Sequence, residues 1–296
     1  MAAGVLTPAS GPSDTAFMPQ PRVVPDAPVL LATTAEGRCV FHDHGARRCR
    51  IQQTLGHEML PLACRQFPRV TVEDPRGISV TLSHYCPTAA AMLDSDAPAA
   101  IVADAPSFPA DAEYIGLDAR MSLPPRLRPD MLMDWESWWD WERLSVEHLG
   151  NAARADEALG RLVVAVADIS HWRPADGPLR DRVRAAFRTA DEGTAAPVAP
   201  GVGIDDVMVA IPAEVRPQAR PLAQPTTGRA LARFLAAHAF ANWTAHYGTG
   251  LRAWMRSLEA AYTLATRFGA GQADLWLRHL ADPVSLADKY SDAVEK

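Results

Sequence analysis

All four cysteines of this 296-residue chain fall between positions 39 and 86, spaced Cys39-x9-Cys49-x14-Cys64-x21-Cys86. A stretch that gathers its thiols this way can close as disulfides, hold a metal, or simply bury four small apolar side chains. The N-terminal residues show no basic segment followed by a continuous apolar one, which would direct secretion, so the chain reads as cytoplasmic. Disulfides seldom persist in a reducing cytosol, and a chain this long has no need of covalent staples. The metal and buried-thiol readings stay open. No run of about 18 apolar residues offers a membrane span. A formal net charge of -6 argues against general nucleic-acid binding.

The pattern around the thiols predicts a mixed local structure. Residues 1–28, rich in Pro, Ala, Ser and Gly, read as a flexible leader. Val29 to Thr33 suits a short strand. Ile51, Leu55 and Met59 share one helical face over Cys49 to Met59, and Pro61 stops that helix. Val70–Val72 and Ile78–Leu82 read as a hairpin joined by Asp74-Pro75-Arg76-Gly77. Pro87 to Leu93 opens a short helix. Together these make a cysteine-cluster module over 29–95. A Pro- and Ala-rich linker follows over 96–128.

From 129 to 296 the periodicity is helical. Asp130 is placed to cap a helix carrying Leu132, Trp135, Trp138, Trp139 and Leu144. Further helices are expected over Ala155 to Trp172 and Leu179 to Thr189. A Pro/Gly-rich surface loop is expected at about 190–228. Leu231, Phe234, Leu235 and His238 share one face; Leu251, Trp254, Met255, Leu258 and Tyr262 share another, with a turn at His246–Gly250 between them. A last helix is expected at 273–281. The fold class is mainly α, with a small α+β cysteine-cluster module near the N-terminus.

No CxxC knuckle is present, so the spacing is neither a zinc ribbon nor a ferredoxin run. Each cysteine does stand at an expected element boundary, where a fold can turn its sulfur inward. The flanking residues are more specific. Cys39-Val-Phe-His, the run from Cys49-Arg-Ile to Leu55-Gly-His and Pro61, Cys64-Arg-Gln-Phe-Pro-Arg, and Ser83-His-Tyr-Cys86-Pro occur in that order. Over about residues 36–93 this resembles the flagellin lysine-N-methylase family and the related YkgJ-type zinc- or iron-chelating cysteine-cluster proteins.

The resemblance implies that Cys39, Cys49, Cys64 and Cys86 are the ligands of a [4Fe-4S] cluster, with Zn2+ as the alternative. Four thiolates suit either, as a tetrahedral zinc site or as one thiolate per iron of a cubane. It also implies methyl transfer from S-adenosylmethionine to lysine side chains of a protein substrate. A non-catalytic centre serving partner binding or assembly is the alternative role. No motif for S-adenosylmethionine accompanies the cysteines. The GxG at Gly201-Val202-Gly203 sits in a proline-rich stretch rather than after a strand.

Several neighbours are candidates to support the centre. Arg47, Arg48, Arg50, Arg65 and Arg69 crowd the cysteines, and Arg50 and Arg65 directly follow two of them. Guanidinium groups can offset thiolate charge, though a solvated basic patch has the same composition. Of His42, His44, His57 and His84, the last lies two residues before Cys86 and is the best placed to bond a sulfur; a surface histidine is the default for each. Trp135, Trp138, Trp139 and Trp141 read as the packed side of a helix rather than an aromatic cage. Asp134, Glu136, Asp140 and Glu142 then form its solvated side. Asp205-Asp206 reads as a charge pair in a loop.

Overall fold

The computed structural model describes residues 32, 34, 39–46, 48–95, 99–108, 114–192, 203–208 and 225–292. The leader and most of the strand expected at Val29–Thr33 lie outside the described residues. The chain divides into two compact units, Met1–Gln66 and Phe67–Lys296. The division falls within the expected 29–95 module. The hairpin and Cys86 therefore group with the helices.

In the first unit, β1 (His42–Asp43) pairs antiparallel with β2 (Arg48–Cys49), setting His42 opposite Cys49. The Ala46 N–H donates to Asp43 Oδ1 at 3.0 Å and shapes the turn between them. Helix α1 (Arg50–Leu55) follows, then a 3-10 turn at His57–Met59 and α2 (Leu62–Gln66). The helix expected to reach Met59 breaks earlier, because Gly56 takes φ 91°, a left-handed value that suits a residue without a Cβ. Leu55 and Met59 are consequently exposed, and only Ile51 of that face is buried. Among the described residues the core of this unit is Ala32, Val40, Phe41 and Ile51, with Cys39, Cys49 and Leu60 packed against it.

The second unit opens with the expected hairpin, β3 (Arg69–Asp74) and β4 (Gly77–Leu82), in register from Arg69 opposite Leu82 to Asp74 opposite Gly77. β5 (Leu117–Asp118) joins β3 in parallel, inside the region expected to be plain linker. A Cβ at Gly116 would collide with Thr71, so glycine is what permits this close approach. Helix α3 (Pro87–Met92) starts immediately after Cys86.

The residues around Asp130 form β6 (Arg126–Arg128) and β7 (Met131–Leu132) instead of a helix start. Helix α4 (Trp135–Gly150) is capped by Asp134, whose Oδ1 accepts the Ser137 N–H at 2.8 Å. Helices α5 (Ala155–Ile169) and α6 (Leu179–Glu192) follow. α5 ends short of Trp172. Within the expected surface loop, α7 (Ile204–Met208) contains Asp205-Asp206 and buries Val207 completely.

The chain then forms α8 (Gly228–Ala239), α9 (Thr244–Tyr247), α10 (Leu251–Phe268) and α11 (Ala270–Asp274). The helix expected at 273–281 is a π-helical turn, Leu275–Leu280, continuing from α11. α12 (Pro283–Asp292) lies beyond it.

In α8 and α10 the faces read from periodicity are the buried ones, with Tyr262 partly buried at their edge. Leu231, Phe234 and Leu235 of α8, and Leu251, Trp254, Met255 and Leu258 of α10, join Trp138 and Trp141 of α4 in one core. α4 packs on α6 and α8, and α10 on α8, α11 and α12. The protein is mainly α, with small sheets toward the N-terminal side. Among the described residues, no helix is long and apolar enough to cross a membrane.

Candidate metal centre

Cys39 and Cys49 flank the β1–β2 turn and both pack against the small core of the first unit. The His42 N–H donates to Cys39 O at 3.0 Å, and the Arg50 N–H to Phe41 O at 2.9 Å. Cys49 ends β2 and caps α1 with extended backbone, φ -81° and ψ 123°. Cys64 comes from α2, whose first turn closes on Pro61: the Cys64 N–H donates to Pro61 O at 2.8 Å. All three are free thiols; Cys39 and Cys49 are half-buried and Cys64 is exposed. The Cys64 sulfur is still shielded enough for burial to push its pKa up, and the nearby Cys39 and Cys49 raise it further by charge repulsion.

Two thiols packed against a small core, with the exposed Cys64 near enough to feel their charge, supply donor types that suit a zinc or iron site. Among the described residues, however, no three His, Cys, Asp or Glu side chains stand ready in an arrangement that would hold an ion. The residue types fit. Final ligand geometry would have to form with the metal, as in small metal-coupled modules.

Cys86 belongs to the second unit. It precedes α3 as its cap residue, with φ -72° and ψ 122°, and its N–H donates to Ser83 O at 3.2 Å. Pro87 occupies the first helical position.

The supporting candidates fare differently. Arg65 faces Glu58 at 3.9 Å, and the charge of Arg50 acts on Asp43. Arg47 lies outside the described residues. Arg69 lies over the rings of Phe108 and Tyr114, at 5.7 and 5.9 Å, within the second unit. His42 and His44 meet edge to face at 4.7 Å. His84 is no surface histidine. It is buried, its N–H donates to Asp274 Oδ2 at 2.6 Å, and its Nδ1 lies 3.1 Å from the same oxygen.

The tryptophans of α4 are packed as expected, with Trp138 and Trp141 fully buried and Trp135 stacked on Trp139. The acidic residues between them do not form a uniformly solvated side. Asp140 is buried beneath Arg180 and Arg184, at 2.7 and 2.8 Å. Glu142 is buried against Arg76, and its Oε1 accepts the Ala241 N–H at 3.0 Å.

Sequence reasoning missed the polar group behind Cys86. Asp274, Arg278 and His238 form a buried cluster with His84, and His279 reaches Ser83. The available signal was Asp274 and Arg278, spaced four apart, inside the largely apolar stretch from Ala273 to Leu280. Comparison of the chain with protein-family models, curated proteins and solved structures finds no match.

Proposed function

We propose that this is a cytoplasmic metalloprotein whose Cys39, Cys49 and Cys64 supply thiolate ligands to one centre, a [4Fe-4S] cluster with Zn2+ as the alternative. Cys86 is the fourth ligand by the sequence resemblance. The observation that carries the reading is the composition of the first unit. Of its three free thiols, Cys39 and Cys49 pack against the described apolar core, and the exposed Cys64 lies near enough to feel the charge of both. Four thiolates would satisfy a cubane or a tetrahedral zinc ion.

The resemblance attaches methyl transfer to protein lysines to this reading. A structural centre serving assembly is the non-catalytic form of the same proposal.

Anaerobic purification with iron, sulfide and zinc analysis tests it, alongside a Cys64→Ser variant. A brown protein with about four irons and four sulfides per chain is the expected result, reduced in Cys64→Ser. One tightly held zinc would assign the centre as structural. Metal-free protein, with Cys64→Ser as stable as the parent, would overturn the proposal. A loaded protein that labels lysines of a protein mixture from S-adenosylmethionine would add the activity.

A further inference from the structure

The four residues Ser83–Cys86, which lead from β4 to α3, are tied to α11 and its π-helical continuation by a set of polar side chains, of which Ser83, His84 and Asp274 are buried and His279 is exposed. Asp274 Oδ2 takes the His84 N–H and His84 Nδ1, at 2.6 and 3.1 Å. Ser83 Oγ lies 2.8 Å from His279 Nε2 and accepts the Tyr85 N–H at 3.3 Å. The Cys86 N–H closes the turn on Ser83 O at 3.2 Å. α11 runs tight against this segment: a Cβ on Gly271 would come 3.0 Å from His84 O.

Asp274 is itself fixed. Its Oδ1 lies 3.3 Å from Arg278 Nε and 3.5 Å from His238 Nδ1. Arg278 donates to Ala237 O at 3.1 Å and from Nε to His238 Nδ1 at 3.2 Å. A ring nitrogen that accepts from a guanidinium carries no proton, so His238 is neutral; burial, with Arg278 beside it, lowers its pKa to about 4. Burial alone would raise Asp274, but the charge of Arg278 and the hydrogen bond with His84 hold it well below the ordinary carboxylate range. An ionised carboxylate only accepts, so His84 Nδ1 bears the proton it shares. The wider π turn lets the consecutive residues Arg278 and His279 both serve this region, one on Asp274 and the other on Ser83.

A buried ionic set of this kind seldom adds net stability over apolar side chains of the same size. Its bonds instead converge on one short turn that ends at a thiol. We infer that Asp274 is a positioning residue: with His279 acting through Ser83, it holds the Ser83–Cys86 turn so that the Cys86 sulfur is offered in a single orientation as a metal ligand. The inference rests on the reading of Cys86 as a ligand of the proposed centre.

The test is the alkylation rate of Cys86 by iodoacetamide in the full-length, metal-free chain, followed by peptide mass spectrometry. Asp274→Asn and Ser83→Ala are compared with Leu264→Ala, a core variant in α10 chosen to lower Tm without touching the turn. Positioning predicts that Cys86 reacts about tenfold faster in Asp274→Asn and about threefold faster in Ser83→Ala. Cys39, Cys49 and Cys64 serve as internal references and keep their rates, and Leu264→Ala leaves Cys86 unchanged. An unchanged Cys86 rate in folded Asp274→Asn and Ser83→Ala overturns the inference. So does an equal acceleration in Leu264→Ala. Should Asp274→Asn fail to fold, the Ser83→Ala rate decides alone. Iron and zinc content of the parent protein is read separately. Absence of both overturns the metal reading and leaves the rates to decide whether Asp274 positions Cys86.

Discussion

Replacing Arg76 with methionine should destabilise the second unit in a way that grows with pH. Arg76 stands at the turn of the β3–β4 hairpin, with its Nε 3.3 Å from Asp74 and an amino group on Glu142. The side chains of Asp74 and Glu142 are 0% and 2% exposed. Methionine keeps much of the stem that lies against Trp139 and Phe240 but removes the positive charge that faces Asp74 and Glu142. Stranding a buried carboxylate costs about 3–5 kcal/mol. Burial already pushes the Glu142 pKa up, and Arg76 is the main influence holding it down. In Arg76→Met the folded-state pKa therefore rises further above its unfolded value. An acid whose folded pKa is raised is most stable where it is protonated, and stability is lost as pH rises from the unfolded pKa through the folded one. Urea unfolding followed by tryptophan fluorescence should show the full deficit near pH 8 and a smaller one near pH 5. Arg76→Met/Glu142→Gln should recover part of the loss, since one stranded charge is gone. A deficit below about 1 kcal/mol, equal at both pH values, would refute the reasoning.

Two further outcomes follow from other contacts in the same unit. Burial opposes ionisation of Asp140, but Arg180 and Arg184 lower its pKa overall, so its contribution is present above the unfolded pKa and is lost as pH falls through the folded value. Asp140→Asn should cost about 1 kcal/mol near neutrality, because both arginines face solvent and are screened, and the loss should vanish in acid urea titrations. Val207 is fully buried in α7, so Val207→Ala should lower stability by about 1–2 kcal/mol in the same assay. An unchanged midpoint would mean that α7 does not dock.

Apolar periodicity carried most of what the sequence revealed. Helices α8 and α10 were legible because Leu231, Phe234 and Leu235, and Leu251, Trp254 and Leu258, recur at helical spacing and are buried together. The hairpin was legible from two β-rich runs around a Pro- and Gly-containing turn. Element edges were not, since they depend on single backbone choices. Gly56 ended α1 early through its positive φ, and Asp134 took the cap that Asp130 was equally suited to provide.

The polar interior escaped for a different reason. A carboxylate in a helix is assigned to solvent by default, because an unpaired buried charge is prohibitively costly. That default fails when the partner comes from a distant part of the chain. Glu142 meets Arg76 across 66 positions, and Asp274 meets His84 across 190. Neither pairing leaves a local pattern in the sequence. The cysteines present the opposite case. Their clustering was visible at once, yet α-helical and β-strand periodicities say nothing about where a sulfur points. Cys39, Cys49 and Cys64 are set by the β1–β2 turn and by Pro61, whereas the orientation of Cys86 depends on side chains nearly 200 residues further on. A cysteine cluster can thus be recognised locally while the groups that pack against it are recognisable only in the folded unit.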